Sequence, residues 1–376
     1  MTSPLLLTPG PLTTSASVKV AMARDWGSRD GAFIAMNRDL RRDLVSLVGG
    51  SDTHVCVPIQ GSGTFAIEAT LATVVPRDGK LLVLVNGAYG RRMVEMMRIM
   101  QREVVSMEWP EDEAVDVSLI DDRLGRDGSI THVAVVHCET TTGILNPLST
   151  IAWTVAQHGR RLIVDAMSTF GALAINVGDV AIDAVVASSN KCLQGAPGLG
   201  FAVIRRDVLA GCASNAHSLS LDMHAQWRGF EANDQWRFTP PTHVVASLDQ
   251  ALLELADEGG VSARGARYAR NHAVLVAGME ALGFECLLDP ALRAPIIVTF
   301  LTPADPNFVF DDFYARLANR GFLIYPGKLT VADTFRVGCI GHLDEHDMRS
   351  ALAAIGATLG ELGVRDASPA PRQLVR

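Results

Sequence analysis

The chain has 376 residues, is 48% hydrophobic and 20% charged, and carries a formal net charge of −8. That is an ordinary globular composition, long enough for two domains, and its acidic balance speaks against a nucleic-acid binder, which shows a basic excess. No apolar run reaches membrane-spanning length, the N-terminus lacks the positive region of a signal peptide, and the six cysteines form no CxxC pair, so the expected setting is a reducing cytoplasm, with no membrane, no metal site and no disulfide framework.

Residues 4–15 read Pro-Leu-Leu-Leu-Thr-Pro-Gly-Pro-Leu-Thr-Thr-Ser. Prolines and a glycine keep this stretch extended. It is either a plain arm or an arm crossing the mouth of a site, with Gly10 allowing close backbone approach. Helices are expected at 17–24 and at 35–48, the second ending at Gly49-Gly50.

Residues 55–66 place a Gly-rich turn before a helix expected at 64–75. The backbone N–H groups at that helix start, with Ser62, Gly63 and Thr64, can cup a phosphate. The spacing of Gly61, Gly63 and Ala66 also matches a dinucleotide fingerprint, which requires an acid ending the next strand. That strand, 80–85, ends in Asn86, and Pro58 interrupts the one before the turn. A single phosphate is the better reading, and a turn with no ligand stays open.

Tyr89 follows at the turn into a helix at 91–101, where its ring can stack on a flat cofactor or simply be half-buried. Strand 132–136 leads to His137-Cys138-Glu139 and three threonines starting at Thr140. His137 and Glu139 are candidates for acid–base work or for a structural pair. After a helix at 149–158, strand 162–164 ends at Asp165. A carboxylate there needs a partner, and a protonated ring nitrogen is one. Strand 184–187 then delivers Ser188-Ser189-Asn190-Lys191-Cys192 and a Gly/Pro loop. Taken alone, Lys191 reads as a surface lysine. At a strand end among small residues, its amine can attack a carbonyl. Cys192 is expected to pack in the core.

Strands and helices alternate from 80 to 205, so these groups share the loop ends of one mainly parallel α/β sheet. Cup, aromatic platform, carboxylate and lysine together fit pyridoxal phosphate, with Lys191 for the Schiff base and Asp165 for the pyridinium nitrogen. Helices at 242–258 and 261–282 follow, the second with arginines on one side that are expected to be solvated. Strands at 295–301, 321–325 and 334–337 alternate with helices at 311–319 and 344–359. The expected division is an arm (1–15), a large domain (16–258), a smaller α+β domain (259–364) and a disordered tail (365–376).

Several stretches carry a closer likeness: 5–15 (LLLTPGPLTTS), 60–64 (QGSGT), 86–95 (NGAYGRRMVE), 139–147 (ETTTGILNP), 164–171 (VDAMSTFG), 189–192 (SNKC), 219–227 (LSLDMHAQW), 236–243 (WRFTPPTH), 325–328 (YPGK) and 335–341 (FRVGCIG). With these the chain resembles the class V branch of the fold-type I aminotransferases and, within it, the enzymes that act on 2-aminoethylphosphonate and pyruvate. The resemblance implies a fold-type I architecture with a seven-stranded sheet and a pyridoxal 5'-phosphate cofactor. It implies that Lys191 holds the cofactor and moves the substrate proton, while Asp165 keeps the pyridine nitrogen protonated. Tyr89 would stack on the ring, Thr140 would contact its phenolic oxygen or nearby atoms, and Ser62, Gly63 and Thr64 would bind its phosphate. Thr239 and Thr242 would reach the phosphate of the neighbouring subunit's cofactor, making a homodimer obligatory. Arg336 would bind the phosphonate or the carboxylate of the small-molecule substrate, its fork matching either oxyanion; Gly10 belongs to the same substrate site.

Two other readings stay open: alanine–glyoxylate or serine–pyruvate transamination, and a nucleotide-binding dehydrogenase. Residues 26–34 depart from the family pattern, with Arg29 an unexpected cation that lines the pocket or sits in a surface loop.

Overall fold

A computed structural model gives the fold, in which residues 3–327, 330 and 332–371 are described. Lys328, in one of the matching stretches, and 372–376 of the tail lie outside the described residues.

The chain opens with β1 (Leu5–Leu6), α1 (Ala16–Ala21) and α2 (Gly31–Ser46). The α/β succession follows: β2 (His54–Gln60), α3 (Gly63–Val74), β3 (Lys80–Val85), α4 (Ala88–Ile99), β4 (Glu103–Glu108), α5 (Val117–Arg126) and β5 (Ile130–Val136). A small ribbon of β6 (Cys138–Glu139) and β7 (Ile144–Leu145) precedes α6 (Leu148–Gln157), β8 (Arg161–Asp165), β9 (Ala184–Ser188) and β10 (Leu199–Arg205). Helices α7 (Arg206–Ala210), α8 (Met223–Asn233), α9 (Thr242–Glu258) and α10 (Gly260–Ala281) come next. The last part holds β11 (Ile297–Leu301), α11 (Phe310–Asn319), β12 (Phe322–Leu323), β13 (Tyr325–Pro326), β14 (Thr334–Gly338) and α12 (Glu345–Leu362).

The main sheet has the order β2-β10-β9-β8-β5-β3-β4. All neighbours pair in parallel except β10, which is antiparallel to β2 and β9. Its central strands are buried on both faces, which is why they read as continuous apolar runs. Leu82, Leu84, Val133, Val135, Leu162 and Val164 face a core under α2, α5 and α6. Their neighbours Leu81, Val83, Ala134 and Ile163 face a second core under α3, α4 and α8, as the period of two requires. Pro58 is tolerated because β2 is an edge strand, with β10 its sheet neighbour. The C-terminal ends of β3, β5, β8 and β9, and the turn from β2 into α3, all lie along one edge. Order reverses between β3 and β5, the place where open α/β sheets take ligands.

A second, antiparallel sheet, β11-β14-β13, packs with α10, α11 and α12 around Phe284, Phe300, Phe313 and Phe335. The arm joins it from the other end of the chain. β1 pairs in parallel with β12, and the Gly338 N–H donates to the Leu7 carbonyl at 2.9 Å.

Three expectations are corrected here. Tail residues 365–368 are packed, not disordered: Arg365 N–H donates to Asp305 (2.8 Å), Ala304 N–H donates to the Ser368 carbonyl (2.9 Å), and Ala367 is 3% exposed in the aromatic core. Two of the three α10 arginines do not belong to a solvated face, because Arg264 is 1% exposed and Arg267 is part-buried, while Arg270 is exposed. Helix α4 starts at Ala88, which moves Tyr89 from the preceding turn into the first helical turn.

Candidate active site

The cup is built where β2 turns into α3. Gly61 takes φ +122°, and a Cβ there would lie 2.8 Å from Phe65 Cγ, so the turn needs glycine. Ser62 is the N-cap of α3 but makes no side-chain capping bond. The helical ladder begins with Phe65 N–H to Ser62 O at 3.0 Å, so the amides of Gly63 and Thr64 precede it. Those amides, the helix dipole and two hydroxyls suit an anion. Arg92 adds a cation, its Nη1 donating to Thr64 Oγ1 at 3.3 Å and its guanidinium lying 4.9 Å from the Tyr89 ring centroid. A cavity of about 30 Å³ lined by Gly63, Thr64, Tyr89, Arg92, Asp165 and Met167 joins the cup to the platform and the carboxylate.

Tyr89 is set by Glu139. Glu139 Oε2 accepts the N–H groups of Tyr89 (3.0 Å) and Gly90 (3.3 Å), and its Oε1 accepts the Thr141 hydroxyl (2.8 Å). This buried carboxylate therefore anchors the N-terminus of α4. Burial raises its pKa, while the Thr141 hydroxyl and the two amides oppose the rise. Gly87 is required beside it, since a Cβ would fall 2.0 Å from Glu139 Cγ. His137 is buried against Thr169 Oγ1 (3.0 Å), and burial lowers its pKa to about 4, so it stays neutral. Of the two readings for these residues, the geometry favours the structural one. Asn86 Nδ2 donates to Glu113 O (3.1 Å) and Asn146 Oδ1 (2.8 Å), tying loops together in the place where a dinucleotide site would put an acid.

Asp165 ends β8, 5% exposed, with Oδ1 accepting the Met167 N–H at 3.0 Å. Burial pushes its pKa up to about 7; Glu139 adds to the rise, and the Met167 amide, Lys191 and Arg92 oppose it. A carboxyl held this way is suited to a cationic partner. Lys191 lies in the turn after β9, and its Nζ donates to the carbonyls of Pro9 (2.9 Å) and Gly10 (3.3 Å). The arm therefore crosses the site. Gly10, at φ +114°, lies so close that a Cβ would be 2.5 Å from Lys191 Cδ. Cys192 donates its S–H to Ser168 O (3.1 Å), and burial pushes its thiol up to about 12, as fits core packing.

Arg336, on β14, is buried and donates from Nη1 to Thr140 O (2.8 Å) and from Nε to Pro326 O (3.1 Å). Burial lowers its pKa. Thr140 thus meets Arg336 through its backbone. Thr239 is exposed ahead of α9, and Thr242 is the first residue of that helix; among the described residues neither is hydrogen-bonded to the cluster. Arg29 is exposed and precedes Asp30, the N-cap of α2.

The family model for class V aminotransferases matches residues 15–329. The chain belongs to the class V aminotransferase family. It is similar to 2-aminoethylphosphonate–pyruvate transaminase 2 of Burkholderia lata, with 54% identity over 97% of both chains. The 2-aminoethylphosphonate–pyruvate transaminase of Cupriavidus taiwanensis is also 54% identical, over 96% of both. Among solved structures, pyridoxamine–pyruvate aminotransferase from Mesorhizobium loti matches with a TM-score of 0.88 at 26% identity, over 97% of this chain and 94% of that one.

In this class V aminotransferase the sequence reading missed Arg92 and, on α10, Arg264 and Arg267. Arg92 lies one turn beyond Tyr89, a signal visible only once α4 is known to start at Ala88. The donor set fits pyridoxal phosphate on three independent features. The α3 N-terminus is uncapped by its own serine, the Asp165 carboxyl is desolvated with its Oδ1 on the Met167 amide, and Lys191 reaches the same edge of the sheet.

Proposed function

We propose that this class V aminotransferase uses pyridoxal phosphate to move the amino group of 2-aminoethylphosphonate to pyruvate, giving phosphonoacetaldehyde and L-alanine, in phosphonate degradation. The observation that carries the reading is Arg336, buried beside the Glu139–Thr142 turn, together with relatives of that name at 52–54% identity over nearly the whole chain. A guanidinium there offers a fork to a phosphonate in one half-reaction and a carboxylate in the other.

When bound, pyridoxal phosphate supplies a carbonyl for the amine and a ring that withdraws electrons from the substrate carbon. The chain's own residues do the rest. Ser62, Gly63 and Thr64 hold the phosphate, and Tyr89 provides the flat face for the ring. The Asp165 carboxylate holds the proton on the ring nitrogen, and Thr140 borders the ring. Lys191 would be the residue that holds the cofactor, and its amine would move the substrate proton. The arm carbonyls of Pro9 and Gly10 hold that amine in line, and Gly10 leaves room for the substrate beside it.

We read the enzyme as a cytoplasmic homodimer, with Thr239 and Thr242 serving the partner's cofactor. The absence, among the described residues, of a hydrogen bond from either to the cluster of their own chain supports this, as does the exposure of Phe65 and Phe238 near the cup and the threonines in sequence. The consecutive left-handed glycines Gly259 and Gly260 support a boundary between 16–258 and 259–364.

The test is the absorbance of the bound cofactor on adding 2-aminoethylphosphonate without pyruvate. The band should move to shorter wavelength and return with pyruvate. A band moved by alanine or serine but not by the phosphonate would discard this substrate.

A further inference from the structure

Helix α10 carries a stripe of polar side chains at 264, 267, 268 and 271, the spacing of one helix face. Arg264 donates from Nη1 to the carbonyls of Cys192 (3.0 Å) and Leu193 (3.2 Å), directly after Lys191. The Tyr268 hydroxyl is fully buried and accepts Gln194 Nε2 (2.5 Å) from the same turn and the Gly341 N–H (3.1 Å) from the other side. Arg267 donates to Gly341 O (2.8 Å) and Leu343 O (2.6 Å), and Asn271 donates to Cys339 O and Leu343 O, both at 3.1 Å. Glu258 locks both arginines at 2.8 Å. One rigid helix therefore grips the turn that carries Lys191 and the segment that leaves β14, the strand of Arg336.

We propose that this stripe fixes the span between the Lys191 amine and the Arg336 guanidinium, and thereby sets how far apart the amino and anionic groups of a substrate must be. Arg264, Arg267, Tyr268 and Asn271 are positioning residues in this scheme. The inference rests on the substrate reading above. In 2-aminoethylphosphonate two carbons separate the amine from the phosphonate; in alanine one carbon separates the amine from the carboxylate. The site must serve both spans, and the shorter one demands the closest approach of Arg336 to Lys191. A loosened clasp lets Arg336 drift away, so the short-span partner suffers first.

The groups being gripped are backbone carbonyls, the Gln194 side-chain amide and the Gly341 N–H, and the Tyr268 hydroxyl that meets the last two is buried, so the clasp is stiff rather than a solvated tether. Its Glu258–Arg267 end lines an open cleft of about 1020 Å³ with Arg270, His342 and Asp344. Water can replace the bonds lost there, so a variant at that end keeps the fold.

The experiment compares the parent with Tyr268→Phe and, at the wet end, Arg267→Gln. For each, kcat/KM is measured for 2-aminoethylphosphonate and for pyruvate, with the cofactor absorbance recorded alongside. The variants should retain the cofactor band, and the pyruvate value should fall about tenfold or more beyond the phosphonate value. Equal losses in both half-reactions, or a ratio within about twofold of the parent, would overturn the inference. A parent that does not turn over the phosphonate overturns the substrate reading and this inference with it, and the parent alone reveals that outcome.

Discussion

Asp165 should make the cofactor-free protein less stable as pH rises, and Asp165→Asn should remove that loss. The carboxyl titrates near 7 in the folded chain, against 3.8 for a free aspartate. Between those values the folded state keeps a proton that the unfolded state has released. Stability then falls with rising pH and levels off above 7. The gap of about three pH units corresponds to about 4 kcal/mol, of which roughly 3 kcal/mol is lost between pH 5 and pH 8. Asparagine keeps an oxygen for the Met167 N–H and carries no charge. Urea unfolding of both cofactor-free proteins at pH 5 and pH 8 makes the comparison, because every other titrating group is common to both. The variant's advantage should grow by about 3 kcal/mol over that interval. A stability difference that is the same at both pH values would refute the reasoning. Saturating pyridoxal phosphate should reverse the order, since only the parent has the carboxylate to pair with the ring nitrogen and so gains more stability by binding.

Two further substitutions test the surroundings of that carboxyl. Gly10→Ala forces a left-handed residue and a Cβ 2.5 Å from Lys191 Cδ; the backbone strain costs about 1–3 kcal/mol, and kcat should fall about tenfold to a hundredfold with a shifted cofactor band, whereas parental kinetics and spectrum would exclude the arm from lysine placement. Glu139→Gln removes the charge and one of the two acceptor oxygens that serve the Tyr89 and Gly90 amides and the Thr141 hydroxyl; urea unfolding should show a loss of about 1–3 kcal/mol, and an unchanged midpoint would deny Glu139 its anchoring of α4.

Lys191, Asp165 and the Ser62–Thr64 turn were legible because each stands at the end of an apolar strand or the start of a helix, and such signals are local. Once the strands form one parallel sheet, their loop ends must meet. Arg264 and Arg267 were misread for the opposite reason. An arginine on a helix looks the same whether it meets water or carbonyls, and its acceptors at 192, 193, 341 and 343 lie some 70 residues away. Strand β4 was passed over because its ends are the charged Glu103 and Glu108 and it lies at the sheet edge, where apolar pattern is weakest. The tail misled through composition. Pro and Ala read as disorder, while the backbone bonds to Ala304 and Asp305 that order residues 365–368 leave no mark in the local sequence. His137 and Glu139 were ambiguous for want of partners, which only tertiary structure supplies.

The arm that reaches Lys191 is also a matter of timing. Leu5 and Leu6 are made more than 300 residues before Phe322 and Leu323, the residues they pair with, and Leu7 waits for Gly338. At 5–20 residues per second, the ribosome needs about 7–30 s to go from Lys191 to Gly338. Contacts so distant in sequence form late, because the intervening loop must close first. During synthesis the lysine and its half-built pocket stand open, and the arm covers them only when the final strands exist. Residues made well before Lys191 are among the last to settle, so the site is completed only after β14 has been made.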